Sequence, residues 1–264
     1  MKCKWIKKLT AGIIFLAAVG SLSGCQKAAT SENLFRDIEV NMTSVESAEE
    51  NQIVKLQMGD GDSAISQESN LDIEMTRNPA SVHRKGQQKT NMAGTKETQE
   101  MESYQVEEDG KTVIYSGTDE AWEKNAVEEK ETSSQQTVLF DGLQNLSGAF
   151  SVSQDLATVN KEECFELTGT ISGTQFQETF ADTLKALLGE DSSDLSGWNL
   201  QASEDEENNE ELQQKLNNVK VDCVIDIYRN NILPAKITFD LTDYLKAAGE
   251  ENAQVPSYTL EVTV

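Results

Sequence analysis

Histidine is almost missing from this 264-residue chain, with His83 standing alone. One imidazole cannot build a multi-histidine zinc site or a pair of titrating rings. Basic residues are the second scarcity: 22 Lys+Arg face 46 Asp+Glu, a net charge of −24. A surface of that sign repels phosphate backbones, which excludes nucleic acid as a partner. Hydrophobic residues make up 37% and aromatic residues 6%, polar for a globular protein but short of a disordered composition. Catalytic signatures are lacking too. There is no Gly-x-Ser-x-Gly elbow and neither of the glycine-rich phosphate loops. Asp60-Gly-Asp62 opens like a calcium loop, but Ala64 and Ile65 stand where a ligand and a glycine are required. No nucleophile and base can be paired, so no catalytic residue, metal site or cofactor is assigned and the chain reads as a non-enzyme.

What is present begins at the N terminus. Lys2, Lys4, Lys7 and Lys8 form a cationic start, and Leu9 to Gly20 is apolar. About twelve residues cannot span a bilayer that needs about twenty; they fit the core of an export signal. The segment ends in Leu22-Ser23-Gly24-Cys25, which resembles the lipobox of bacterial lipoproteins residue by residue. That resemblance implies cleavage between Gly24 and Cys25, with a diacylglyceryl group on the Cys25 thiol. It also implies anchoring at the extracytoplasmic face of the cell membrane. Two acyl chains hold stably where one holds marginally. The leader takes four lysines and no acid with it, so the remaining chain is still more acidic and attachment rests on lipid rather than on a basic patch. The expected organisation is a signal peptide over 1–24, a lipidated tether over 25–33 and one domain over 34–264. The tether reaches at most about 28 Å, which keeps the domain near the membrane.

Cys3 leaves with the leader and Cys25 is acylated, so Cys164 and Cys223 remain, outside the reducing cytosol. Both lie in strand-like runs. A disulfide between them is expected if those strands are neighbours, closing a loop of about 60 residues at a gain of about 3–4 kcal/mol. The alternative is two buried free thiols packed as small apolar groups.

Elsewhere a period of two dominates. Ser31 is placed to cap a helix carrying Leu34, Ile38, Met42 and Val45 on one face. Strand-like runs follow at 52–58, 70–77, 81–90 and 97–108, with a loop at 59–69. Asp109-Gly110 is a preferred pair for a primed turn, and folding about it sets Glu108 against Lys111, Val106 against Val113 and Tyr104 against Tyr115. A short strand ending near Trp122 is expected next. Leu139, Leu143, Leu146 and Phe150 recur at helical spacing, as do Phe176, Phe180, Leu184, Leu187 and Leu188. The acidic run 204–211 reads as solvated loop. A second hairpin turns at Asn230-Asn231, opposing Val224 to Ile237 and Tyr228 to Leu233. Tyr258, Leu260, Val262 and Val264 alternate with polar residues in the last strand.

These elements predict an α+β domain: a curved antiparallel sheet of about nine or ten strands, with helices packed on the concave face. The order of helix, polar meander, central helices, hairpin and final strand resembles bacterial lipoproteins with a half-barrel sheet, among them lipoprotein carriers and mycobacterial envelope lipid-binding lipoproteins. Arg77-Asn-Pro79, Tyr104 to Gly110, Tyr115 with Trp122, and Leu233 to Asp240 resemble uncharacterised lipoproteins of clostridia-like Gram-positive bacteria more closely. What the resemblance implies is a hydrophobic or lipid-like ligand. One reading lines a groove for it with Leu139, Leu143, Leu146, Phe150, Phe176, Phe180, Leu184 and Leu188; the other packs the same side chains as ordinary core. A filled core turns the expectation to an interaction or sensor module that docks another envelope protein.

Overall fold

The computed structural model describes residues 29–59, 65–92, 94–109, 111–118, 121–127, 142–188, 206–248 and 257–264. Thr30 opens the first helix, its hydroxyl accepting the Asn33 N–H, and α1 runs Ser31–Ser44 with Leu34, Phe35 and Ile38 buried on one face. Ser31, expected as the cap, is instead the first helical residue and donates its hydroxyl to the Ser147 carbonyl at 2.9 Å.

Six strands then meander: β1 (Ser47–Met58), β2 (Ile65–Arg77), β3 (Ala80–Met92), β4 (Thr95–Glu108), β5 (Lys111–Thr118) and β6 (Ala121–Val127). A 3-10 helix (Leu143–Ala149) leads into β7 (Phe150–Val159) and β8 (Glu162–Ser172). Two helices follow, α2 (Gly173–Leu188) and α3 (Glu206–Asn218). Then come β9 (Lys220–Tyr228), β10 (Pro234–Asp240), the short helix α4 (Thr242–Ala248) and β11 (Tyr258–Thr263).

All eleven strands form one open antiparallel sheet in the order β6-β5-β4-β3-β2-β1-β11-β10-β9-β8-β7, a curved half-barrel of the α+β class. The expected hairpin is present in the expected register, with Glu108 opposite Lys111, Val106 opposite Val113 and Tyr104 opposite Tyr115. Asp109 takes the positive φ that a primed turn demands.

Four expectations need correction. Among the described residues the sheet has eleven strands: β7 stands where a helix was expected, and the strand expected to end near Trp122 is β6, with Trp122 near its start. Phe150 begins a strand, because its pairing with Gly169 on β8 outweighs its helical spacing from Leu146. The acidic run extends into α3, whose Leu216 is fully buried against the sheet. In the β9–β10 hairpin, Tyr228 does bond Leu233 through its N–H. A bulge between Pro234 and Lys236 then moves the register by one, so Val224 faces Thr238 and Ile237 faces Ile225.

One core cluster occupies the helix-bearing face. Leu34, Phe35 and Ile38 of α1, Phe176 and Phe180 of α2, Leu216 of α3, and Tyr244 and Leu245 of α4 close over Val54, Leu167, Ile171, Ile225, Ile237, Phe239, Leu260 and Val262. Edge-on aromatic contacts knit it together: Phe176 lies 5.3 Å from Phe239 and 4.9 Å from Tyr244, and Phe35 lies 5.3 Å from Phe150. The helices therefore cover β7–β11 and β1. The strands from β2 to β6 are richly charged, with cross-strand pairs such as Lys85–Glu102 and Lys124–Glu108.

Candidate functional site

The two remaining cysteines are the first sequence-predicted pair to be placed. Cys164 faces Tyr228 across β8 and β9, whereas Cys223 faces Gly169. Five register positions separate them, and an odd offset puts the side chains on opposite faces of the sheet. Both are free, buried thiols. The expected disulfide is thus not formed, although the strands are neighbours. Burial pushes both thiols up, Cys223 to about 12, which disfavours the reactive thiolate form.

The predicted groove beneath the helices is also corrected. Leu143, Leu146, Phe150, Phe176 and Phe180 are all buried members of the core cluster, and none of them lines the large cleft among the described residues. Leu139, Gly24 and Cys25 lie outside the described residues, as do the side chains of Leu184 and Leu188.

That volume lies elsewhere. A cleft of about 1470 Å³ runs along the first half of β1. It arises because β1 and β11 differ in length. β1 pairs with β2 from Ser47 to Met58, but with β11 only from Ile53 to Met58. Between Ser47 and Gln52, no strand among the described residues fills the lane on the β11 side. Across the gap stands the β9–β10 turn with Tyr228, Asn231, Leu233 and Pro234; Met42 and Val45 close one end and Val264 another.

Polar ties hold this rim. Asn41 of α1 donates to the Asn231 carbonyl at 2.9 Å. The Arg77 guanidinium spans the last turn of α1, donating to the Met42 and Thr43 carbonyls at 2.8 Å each. The Tyr228 hydroxyl donates to the Val264 carbonyl at 3.0 Å and accepts from the Asn160 amide at 2.8 Å. Apolar side chains supply much of the lining: Met42, Val45, Ala48, Ile53, Met75, Val82, Val106 and Leu233.

The cleft's acids do not converge. Glu49 and Glu74 are register partners on one face of the sheet, and Glu50 is on the other. Glu50 and Arg84 both lie opposite Ile73, so they share a face. Burial pushes the Glu50 carboxyl up to about 7, and the Arg84 charge opposes that rise. One Glu50 oxygen is buried without a hydrogen-bond partner. His83 lies on the face of Glu49 and Glu74, its Nδ1 3.9 Å from Glu74, stacked on Tyr104 at 4.2 Å and with Nε2 2.9 Å from Glu102. Glu102 also accepts from Lys85 at 3.0 Å and is held below the usual carboxylate range by Lys85 and His83. His83 is thus committed to a surface network, with no nucleophile among its described contacts.

Sequence reasoning missed this cleft. Its signal was the polar, acid-rich start of β1 just after a helix, a segment that reads as a connection rather than as strand. Among the described residues no group of three His, Cys, Asp or Glu is placed to hold a metal ion, and no helix is long and apolar enough to cross a membrane.

With this geometry in hand, the chain can be placed among proteins. The sequence model for a Family of unknown function (DUF6612) matches residues 30–255, most of the chain, and the protein belongs to that family. No curated protein matches it. Among solved structures it is similar to lipoprotein LppX of Mycobacterium tuberculosis, at 12% identity over 88% of this chain and 92% of that one, TM-score 0.42. It is also similar to LprF of Mycobacterium bovis, at 12% identity over 88% and 90%, TM-score 0.44. A DUF1329 family protein of Desulfovibrio piger shares 9% identity over 89% and 92%, TM-score 0.25.

Proposed function

We propose that this protein is a non-enzymatic lipoprotein, tethered through an acylated Cys25 to the extracytoplasmic face of the cell membrane, which takes an apolar ligand into the cleft beside β1. The single observation that carries the ligand reading is the cleft itself: about 1470 Å³ of space with apolar walls. That exceeds the few hundred to about 1,000 Å³ of a drug-sized pocket. The tethering rests on Leu22-Ser23-Gly24-Cys25 and the apolar leader before it. The absence of enzymatic function rests on the acids' distribution over two faces and on the raised thiols. A hydrophobic or lipid-like ligand, the class expected from the sequence, matches the apolar part of this lining.

Native mass spectrometry of protein purified from its own membrane tests this reading. The expected spectrum carries a stoichiometric apolar adduct that is weakened by Ala48→Trp, which narrows the cleft beside β1. An adduct that persists unchanged in Ala48→Trp places the ligand elsewhere.

A further inference from the structure

The helix-bearing face of the sheet carries two opposite charges that do not meet. Glu50 on β1 and Arg84 on β3 are both register partners of Ile73 on β2. Two strand spacings, about 10 Å, therefore separate their backbones. Glu49, Glu74 and His83 belong to the other face, one register position along.

Neither charge is satisfied. One Glu50 oxygen is buried without a hydrogen-bond partner. The half-buried Arg84 guanidinium feels the Glu50 charge through space, and burial pulls its pKa below the usual value. Among the described residues none accepts a hydrogen bond from it. A guanidinium holds its donors in a planar fork that matches two oxygens of a carboxylate or phosphate. The register neighbours of Arg84 on this face, Ile73, Val82, Met101, Ser103 and Gln105, carry no charge. The acid that faces it is Glu50, whose carboxyl burial raises to about 7. Below that pH Glu50 is neutral, and the pair keeps one uncompensated positive charge in a desolvated place. Such a charge is costly until an anion joins it. The protonated Glu50 then has an O–H to donate to the same anion.

This pair adjoins the apolar side of the cleft. Ala48, Met75 and Val82 form the next row on the same face and line the cleft together with Glu50. Arg84 stands one step behind Val82, on β3, two strands away from the seam of β1 with β11. A chain laid against Ala48, Met75 and Val82 brings its end group to Arg84.

Resting on the reading that the cleft takes an apolar ligand, we propose that this ligand is an anionic amphiphile, whose chain lies along Ala48, Met75 and Val82 and whose carboxylate or phosphate oxygens are held by Arg84 and Glu50.

The test uses the full-length chain lacking only its leader, with parinaric acid (a fluorescent fatty acid) and its methyl ester as probes. It is run at about pH 6, where Glu50 holds its proton. The ester keeps the chain and removes the charge. The acid is expected to bind at least ten-fold more tightly than the ester. Arg84→Gln is expected to bring the acid down to the affinity of the ester and to leave the ester unchanged. Arg84→Lys, a cation without the fork, should fall between. Equal affinities of acid and ester in the wild-type protein overturn the proposal, as does an acid preference that survives in a folded Arg84→Gln. Should that variant not fold, the comparison of acid with ester decides alone. Ala48→Trp narrows the path of the chain and should weaken both probes. If the two bind equally and Ala48→Trp weakens both, the cleft reading stands and only the anionic head falls. If neither binds, the cleft reading falls with it. Inorganic phosphate is the last probe. Phosphate that binds the wild-type protein but not Arg84→Gln, while neither parinaric probe binds, assigns the site to a free oxyanion and overturns the amphiphile.

Discussion

The ring of Phe150 lies across the backbone of Gly169, its register partner on β8. A Cβ on Gly169 would stand 2.6 Å from the Phe150 ring and 2.7 Å from the Ala149 carbonyl, so the missing side chain is what lets the aromatic ring close the end of the core. Gly169→Ala is expected to destabilise the fold by about 1–3 kcal/mol, the usual cost of overpacking. Urea denaturation monitored by circular dichroism measures it, and a midpoint equal to wild type contradicts the contact.

The two thiols are expected to stay free. Intact mass should not change on reduction, and a thiol reagent should titrate Cys164 and Cys223 only after denaturant opens the core. A loss of two mass units in the native protein, reversed by reductant, would sink the placement of these residues on opposite faces.

Glu50 gives the fold a pH dependence of defined sign. Its carboxyl is raised from 4.5 to about 7, so between those values the folded chain holds a proton that the unfolded chain has lost. The stability tied to that proton is complete below pH 4.5 and drains away as pH climbs through 7. At about 1.36 kcal/mol per pH unit, the loss is at most about 3 kcal/mol. Glu50→Gln removes the buried charge, and since burial outweighs the attraction of Arg84, the variant should gain in melting temperature relative to wild type far more at about pH 8 than at about pH 5. A gap that does not widen with pH refutes the assignment.

Acylation is expected to follow Cys25. Cells expressing the wild-type chain and fed labelled palmitate should yield a labelled band of this protein. Cys25→Ser should abolish the label and release the protein from the membrane fraction. Label retained in Cys25→Ser would assign the lipid to another residue.

Much of this fold was legible because its strands are long and their partners chemically matched. Glu108 with Lys111 and Tyr104 with Tyr115 announce a register through their residue types alone, and Leu260 and Val262 announce a buried face. Legibility failed where the deciding term lay outside the local window. Leu146 and Phe150 keep helical spacing, yet the hole over Gly169 draws Phe150 into a strand. The bulge beside Pro234 defeats a register counted from the turn. Strand adjacency alone suggests pairing Cys164 with Cys223, and only the register shows that they look away from each other. The cleft was least legible of all, because a gap is made by the ending of pairing between β1 and β11 and not by any residue type.

That same pairing has a consequence for how the chain comes to be. Ile53 waits for Thr263, and Val54 for Val262: the seam between the two blocks of the sheet joins the first and the last of the described strands. Contacts of such range form slowly. Without six-residue β11 the two blocks of sheet meet through α1, which packs Phe35 on Phe150 and ties Asn41 to Asn231, and a cut just before Tyr258 would remove the strand that joins their edges.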